Sequence, residues 1–244
     1  MNRYRSGSLR AAVLLLACSL VGACGGGSAP KSDASKPTPT PSPSYTLPTL
    51  AADKAAVKLA IVTAADLGSP WIQPKKINQT KGSKGKSELC PGHVSASVVV
   101  PPRATADAQL TEGSKAGATI GSFVVSAYAP DRIDAWRTAH NDVEAHCLHW
   151  KAAEGNYDVI TPVNDVTVPG ADEVLARIER VYADAKSTQL QYVRQVVAAR
   201  VGRVVCNLQR AYLTTKADPT GKDFTETVRL VEIQLKKAVA AVAQ

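Results

Sequence analysis

The chain has 244 residues and a formal net charge of +8. Three of these charges belong to Arg3, Arg5 and Arg10, which leaves +5 on the rest of the chain. Such mild basicity suits contact with an anionic surface. It does not indicate nucleic-acid binding, because the sequence has neither a basic stripe at helical spacing nor an aromatic RNA-binding motif.

The first residues are typical of a secretory signal. The three arginines precede an apolar run at residues 11–21, which is shorter than the roughly 20 residues that a membrane-spanning helix needs. Residues 20–24 read Leu-Val-Gly-Ala-Cys, an arrangement similar to the lipidation motif of bacterial lipoproteins. The similarity implies cleavage after residue 23 and acylation of Cys24 by chains such as palmitate. The alternative is an ordinary signal peptide that leaves Cys24 as a free thiol.

A linker follows, at residues 24–50. It begins with three glycines and a serine and continues with prolines interleaved with Thr and Ser. Such a composition cannot bury enough apolar surface to fold and favours extended conformers. We therefore expect a spacer between a lipid anchor on the extracytoplasmic face of the cell membrane and one folded domain at residues 51–244.

The first part of the predicted domain contains two short elements and a polar loop. Residues 57–62 are apolar and fit a helix or a strand, and Thr63 with Asp66 resembles a helix capping box. Residues 73–92 carry five lysines before the first acid. This loop could dock on anionic headgroups or cell-wall polymers. We prefer the simpler interpretation of a solvated loop.

Strand and helix patterns then alternate. Residues 94–100 and 118–128 are predicted strands. Pro130 and Asp131 begin a predicted helix whose apolar positions form one stripe and whose last turn ends at Cys147.

Three predicted strands, at residues 173–183, 189–200 and 203–213, form two successive hairpins, the second with a tight turn at residues 201–202. This pairing puts Arg177 opposite Arg194 and Arg194 opposite Gln209. One face of the resulting meander is almost wholly apolar, with Gln195 and Arg180 as exceptions, and is the predicted core face.

A final amphipathic helix begins near Asp223. Together these patterns predict an α+β fold: an antiparallel meander with amphipathic helices packed on one face, in two layers.

Three cysteines remain beside Cys24 in the mature chain: Cys90, Cys147 and Cys206. Outside the cell a disulfide is expected. Cys206 occupies a core position, where a free thiol packs as a small apolar group. We predict a Cys90–Cys147 disulfide, with Cys147–Cys206 as the alternative.

His140, His146 and His149 surround Cys147 and could in principle bind zinc or copper. His140 and His146 do not share a helical face, and a disulfide would consume the thiolate. We therefore predict no metal site and no cofactor, and we interpret the histidines as exposed polar residues near a helix end.

The row formed by Arg177, Arg194 and Gln209, with Tyr192 beside it, is the candidate ligand-binding site. Two guanidinium groups directly across a strand pair repel each other, and either an anionic ligand or Glu179 would relieve the repulsion. We favour Glu179 as the explanation and keep the anion site as a hypothesis.

The sequence has none of the familiar catalytic motifs: no G-x-S-x-G elbow, no phosphate-cradling loop and no H-E-x-x-H. We therefore do not expect an enzyme.

Several features occur in an order that resembles the PknH-like extracellular sensor domains of actinobacterial receptor kinases and lipoproteins. They span most of residues 57–244: Thr63-Ala-Ala-Asp-Leu-Gly, Cys90-Pro91, the Trp136 helix ending at Cys147, the strand from Tyr192 to Arg200, and the last helix. The resemblance implies an α+β domain with a ligand-accepting cleft and no catalysis. This chain differs from the receptor kinases in lacking a kinase domain and a membrane-spanning helix.

Two functions remain open. The first and preferred one is a lipid-anchored protein that binds or senses a ligand, either a small anion or a cell-wall polymer. The alternative is a structural or envelope-assembly lipoprotein that contacts proteins or wall polymers without a small ligand.

Overall fold

The structure, a computed structural model, describes residues 47–74, 88–90, 93–94, 96–113, 119–151, 157–186, 189–213 and 220–242. Cys24, most of the predicted linker and most of the lysine-rich segment lie outside the described residues, so the predictions made for them remain predictions.

The described residues form helices and strands in the following order along the chain. The helices are α1 (Leu50–Ala60), α2 (Ala64–Leu67), α3 (Ala96–Val99), α4 (Ile133–His146, after a 3₁₀ turn at Pro130–Arg132) and α5 (Thr225–Val242). The strands are β1 (Trp71–Ile72), β2 (Glu88–Cys90), β3 (His93–Val94), β4 (Ala104–Glu112), β5 (Thr119–Ala127), β6 (His149–Lys151), β7 (Tyr157–Val163), β8 (Glu173–Tyr182), β9 (Leu190–Val201) and β10 (Val204–Leu213).

Eight of these strands form one sheet in the order β1-β4-β5-β10-β9-β8-β7-β6, and every neighbouring pair is antiparallel. The strands β2 and β3 pair separately. The predicted α+β class, with an antiparallel sheet and helices packed against it, is confirmed.

The predicted meander is present as β8, β9 and β10, but its register differs from the prediction by two residues in both hairpins. Arg194 lies opposite Glu179 on β8 and opposite Ala211 on β10. The turn between β9 and β10 explains the second shift. Gly202, with φ +54°, is the first of the two turn residues, so the turn sits one residue later than predicted. An even shift leaves each side chain on its predicted face.

The predicted core face is buried beneath α1 and α5. Side chains from β8, β9 and β10 pack there with Phe123 of β5 and with the apolar stripe of α5, which includes Leu230, Val231 and Leu235. Val242, at the end of α5, lies off this stripe and is 44% exposed. The capping box predicted at the start of α2 is present, with Thr63 and Asp66 bonded reciprocally.

Gln195, a polar exception on the core face, is completely buried, and both polar atoms of its side chain form hydrogen bonds. Its Nε2 donates to the carbonyl oxygens of Gly221 (2.9 Å) and Asp223 (2.7 Å), and its Oε1 accepts from the hydroxyl of Thr227. The amide thereby fastens the middle of β9 to the start of α5, and this is why a glutamine is tolerated in the core.

The opposite face of the sheet is partly covered as well, which corrects the prediction that helices lie on one face in two layers. Trp136 and Ile133 of α4 and Ala96 of α3 pack with Ala198 and Val205. Small and apolar side chains such as Ala198 and Val205 occupy one end of this second face. At that end α4 adds a third, partial layer.

One predicted strand was wrong, and one strand of the sheet was not predicted. Residues 94–100, predicted as a strand, are mostly the short helix α3. β4 was not predicted, because its sequence ATADAQLTE buries only Ala104 and Leu110 strongly and lacks the alternation of large apolar residues that marks a strand.

The structure contains the Cys90–Cys147 disulfide, with a Cα–Cα distance of 5.7 Å. Cys206 is free, and burial raises the pKa of its thiol to about 12. The alternative Cys147–Cys206 pairing is excluded because Cys206 faces the α5 side of the sheet, whereas Cys147 packs with Ile160 and Val143 on the α4 side.

Within the described part of the chain, none of the helices has the length and apolar character needed to cross a bilayer.

Candidate functional site

A groove lies on the second face of the sheet, where α4 stops short of covering β5 and β10. It consists of two cavities, of 160 Å³ and 330 Å³, which we call the inner and outer cavities and which meet at Gln209. The inner cavity is lined by Ala96, Ser97, Val124, Ser126, Tyr128, Trp136, His140, Val143, Arg177, Val205, Asn207 and Gln209. The outer cavity is lined by Gln109, Ile120, Ser122, Tyr192, Arg194, Gln209, Ala211 and Tyr212.

The structure brings all four predicted ligand-binding residues to this groove. Arg177 and Gln209 line the inner cavity, and Tyr192, Arg194 and Gln209 line the outer cavity. They share one side of the sheet because strand side chains alternate, and these four occupy the positions that point away from the α5 side.

The two arginines do not face each other as predicted, because the two-residue shift places Glu179 directly across from Arg194. Glu179 is buried and bonds both cations: Arg177 Nε donates to its Oε1 at 2.8 Å and Arg194 Nη1 donates to its Oε2 at 2.7 Å. Arg194 Nη2 also donates to the hydroxyl of Tyr192 at 3.2 Å. The repulsion that motivated the anion hypothesis is therefore relieved within the protein.

The charges of this cluster are mutually stabilised. Burial alone would raise the pKa of Glu179, but the neighbouring Arg177 and Arg194 guanidinium groups outweigh it and hold the pKa below its usual value. Burial would also lower the pKa of Arg194, but Glu179 outweighs it and keeps that pKa raised. The pKa of Tyr192 is raised, chiefly by burial. The cluster is consequently charged but internally paired at neutral pH.

His140 was predicted to be exposed and is instead 7% exposed, in the wall of the inner cavity. Its Nε2 lies 3.2 Å from Arg177 Nη1 and 3.4 Å from Glu144 Oε1, and its ring packs against Trp136 at a centroid distance of 5.7 Å. A neutral ring accepts from Arg177 at Nε2. Arg177 is thus held on the helix side by His140 and on the strand side by Glu179.

The other two histidines lie apart from this site. His146 is exposed and pairs with Asp142 at 3.0 Å, and His149 is exposed on β6. Among the residues that the structure describes, no group of three or more His, Cys, Asp or Glu side chains could hold a metal ion.

Two attachments hold α4 over the sheet and so define the inner cavity. At one end, Arg137 forms a fork with Glu173 of β8, with Nη2 to Oε2 at 2.9 Å, and Arg200 of β9 also donates to Oε2 at 2.9 Å. The hydrogen bond from Arg137 is the main reason that the pKa of Glu173 is lowered. At the other end, Cys147 packs against Ile160 of β7 and is joined by the disulfide to Cys90 of the separate strand β2.

Sequence reasoning missed several lining residues. Gln109, for example, lies on the unpredicted strand β4. Ser122 and Ser126 carry a signal that was available: they alternate with Phe123 and Val125 on β5, which places hydroxyls on the face opposite the core.

No protein-family model matches the chain, and no curated protein matches it either. The crystal structure of the extracellular domain of PknH from Mycobacterium tuberculosis is similar to part of it, with a TM-score of 0.36 and 14% sequence identity. The match covers 57% of this chain and 63% of the PknH chain, so this chain spans less than two thirds of that neighbour. This is a weak structural resemblance to one extracellular domain, and no family assignment rests on it.

Proposed function

We propose that this protein is a lipid-anchored, extracytoplasmic binding protein whose groove accepts a small ligand. The observation that carries the proposal is the convergence of Arg177, Tyr192, Arg194 and Gln209 on one groove. These residues were selected from the sequence as a recognition row, and they come from three different strands.

The form of the groove supports this function. Ligand sites are concave and combine apolar walls with a few placed polar groups. Here Trp136, Val124 and Val205 supply apolar walls, and Arg177 and Gln209 supply polar groups. Arg177 is only 6% exposed, yet its Nη2 has no hydrogen-bond partner among the described residues, so a donor remains for a ligand.

We propose binding without catalysis. His140 is the obvious general base in the groove, but its Nε2 faces Arg177 and Glu144 rather than a serine or another nucleophile. A histidine engaged in this way positions the arginine and does not activate a hydroxyl.

Acylation of Cys24 would hold the domain at the outer face of the membrane. The linker of 27 residues, at positions 24–50, would let the groove stand away from the bilayer. More than one acyl chain is needed for stable anchoring, and a lipoprotein cysteine supplies this.

A structural or envelope-assembly role is the second candidate, and one surface favours it. Val239 (46% exposed) and Val242 (44% exposed) line a shallow apolar hollow of 270 Å³ together with Val201 and Val204. Exposed apolar side chains of this kind are common at protein contacts.

Native mass spectrometry of the protein purified from its own membranes tests the preferred function. We expect a population that carries a small retained molecule. Replacing Ser122 on the floor of the outer cavity, Ser122→Trp, should fill the groove and remove that population, whereas Gln191→Trp, at an exposed position of β9, should not. A retained molecule that is unaffected by Ser122→Trp, or no retained molecule at all, would favour the structural role.

A further inference from the structure

We infer that the ligand of this groove is an uncharged saccharide of one or two rings, recognised through its hydroxyl and amide groups, and not an anion. The inference rests on the proposed binding function and specifies its ligand class. Three features carry it: the balance of charge, the uncharged polar groups of the floor, and the completed backbone pairing beneath them.

The charges that the described residues place around the groove cancel. Of these residues, Arg177 and Arg194 are the arginines that line it, and Glu179 binds both of them. Glu144 adds a second carboxylate 3.4 Å from His140, the residue that contacts Arg177. Two cations thus stand against two carboxylates, and Asp158 lies close enough to Arg194 to act on it electrostatically. From the described residues, an arriving anion would meet no net positive charge and would compete with Glu179 for both arginines.

The remaining polar groups of the floor are amides and hydroxyls. Gln109, Gln209 and Asn207 contribute amides, and Ser122 and Tyr192 contribute hydroxyls. No hydrogen bond joins the side-chain amide of Gln209 to another described residue, although it lies where the two cavities meet. Amides and hydroxyls both donate and accept, which matches a ligand whose own hydroxyls do the same.

The floor cannot accept a peptide as an added strand. β5 is paired along its length with β4 on one side and β10 on the other, and β10 is also paired with β9. Its backbone donors and acceptors are therefore used within the sheet. A ligand must therefore be bound by the side chains of these strands and not by their backbone. Such binding suits a compact molecule with hydroxyl groups around its ring.

The dimensions and walls agree with this class. An apolar cavity of about 150 Å³ holds one benzene molecule, so the inner cavity of 160 Å³ has room for a bare six-membered ring. The outer cavity of 330 Å³ gives room for the ring's hydroxyl groups and for a second ring. Aromatic side chains border both, Trp136 in the inner cavity and Tyr192 in the outer one, and can pack against the C–H faces of a sugar ring.

Matched pairs of neutral and anionic sugars test the inference. Ligand-observed NMR would compare glucose with glucuronate and N-acetylglucosamine with its C6 uronate, since in each pair a carboxylate replaces the hydroxymethyl group. We expect a neutral sugar to bind with a Kd below roughly 10 mM and its anionic counterpart to bind at least about tenfold more weakly. Gln209→Ala should weaken the neutral sugar by about tenfold, whereas the matched control Gln191→Ala should leave it unchanged.

Equal or tighter binding of the anionic member would overturn the inference, and so would the failure of both neutral sugars and their disaccharides to bind. Neither result by itself removes the binding function. If native mass spectrometry still finds a retained molecule that Ser122→Trp displaces, the groove is a ligand site and only the ligand class is wrong. If no retained molecule is found either, both proposals fail.

Discussion

Glu179→Gln is the substitution that most directly probes how the groove is built. Glu179 is 6% exposed and is the carboxylate that both groove arginines bond. Glutamine keeps the shape of the side chain but has no charge and offers one acceptor oxygen in place of two. One arginine then loses its partner, and both lose their counter-charge.

The cost follows from the burial of the partners. Removing one member of a buried ion pair typically destabilises a protein by about 3–5 kcal/mol, because the remaining charge is left uncompensated. The side chain of Arg177 is 7% exposed and falls fully in this class, whereas that of Arg194 is 31% exposed and can recover solvation. We therefore expect a loss near the lower limit, about 3 kcal/mol, which for a domain of this size lowers Tm by roughly 6–12 °C.

Urea and thermal unfolding at pH 7, followed by circular dichroism and tryptophan fluorescence, would measure this loss. Glu232→Gln is the matched control, because Glu232 pairs with Lys236 across a helix turn and that lysine is 72% exposed. Exposed pairs of this kind contribute about 0.3–0.5 kcal/mol. The double variant Arg177→Met with Glu179→Gln should lose less unfolding free energy than the two single variants lose together. The reason is that it removes the buried Arg177 charge that Glu179→Gln alone leaves without a partner.

If Glu179→Gln costs no more stability than Glu232→Gln, Glu179 is not a buried counter-charge of the two arginines. If the double variant loses the full sum of the two single changes, Arg177 and Glu179 are not energetically coupled.

Four further predictions follow from other parts of the molecule. The folded-state pKa of Glu179 lies below its unfolded value of about 4.3, so its stabilisation is present above that pH and is lost as the pH falls through the folded pKa. The difference in unfolding free energy between wild type and Glu179→Gln should accordingly narrow in titrations from about pH 6 to pH 3; a constant difference would contradict this. Cys147→Ser opens a loop with a sequence separation of 57 and should cost up to about 4 kcal/mol in oxidised protein, and wild type treated with reductant should lose a similar amount. Gln195→Leu leaves two carbonyl oxygens and the Thr227 hydroxyl without their buried partner, and should cost about 2 kcal/mol or more by urea unfolding; a neutral effect would show that the amide is dispensable. Cys24→Ser should move the protein from the detergent phase to the aqueous phase in Triton X-114 partitioning; unchanged partitioning would contradict acylation of Cys24.

The meander could be predicted because its physical signal is local and strong. Alternation of period two over three consecutive segments leaves one face apolar, and only one parity of pairing keeps that face intact. Its register could not be predicted to the residue. The position of the tight turn decides the register, and either Val201 or Gly202 satisfies the sequence pattern as its first residue.

The elements that were missed depend on tertiary contacts. The strand β4 contains few large apolar residues and is held by its pairing with β5 over nine residues. Nothing in the sequence around His140 marks it as buried, and its burial arises because α4 is held against the sheet by Glu173 at one end and by the packing of Cys147 on Ile160 at the other. The partial layer that α4 forms on the second face of the sheet was also missed, because only a short end of that face is apolar.

The members of the candidate site were predicted, and so was the role of Glu179 as the partner of its arginines, but the register of the strands was not. Arg177, Tyr192, Arg194 and Gln209 do share a groove. The two-residue shift places Glu179 directly across from Arg194, and the resulting Arg–Glu–Arg cluster removes the repulsion on which the anion hypothesis rested.

The most direct test of ligand binding in this groove is a crystal structure, at better than about 2 Å resolution, of the protein isolated from its own membranes. We predict non-protein electron density within hydrogen-bond distance, up to about 3.2 Å, of the Gln209 amide and of Arg177 Nη2. A groove that contains only ordered water, with any retained molecule bound elsewhere on the protein, would contradict the account.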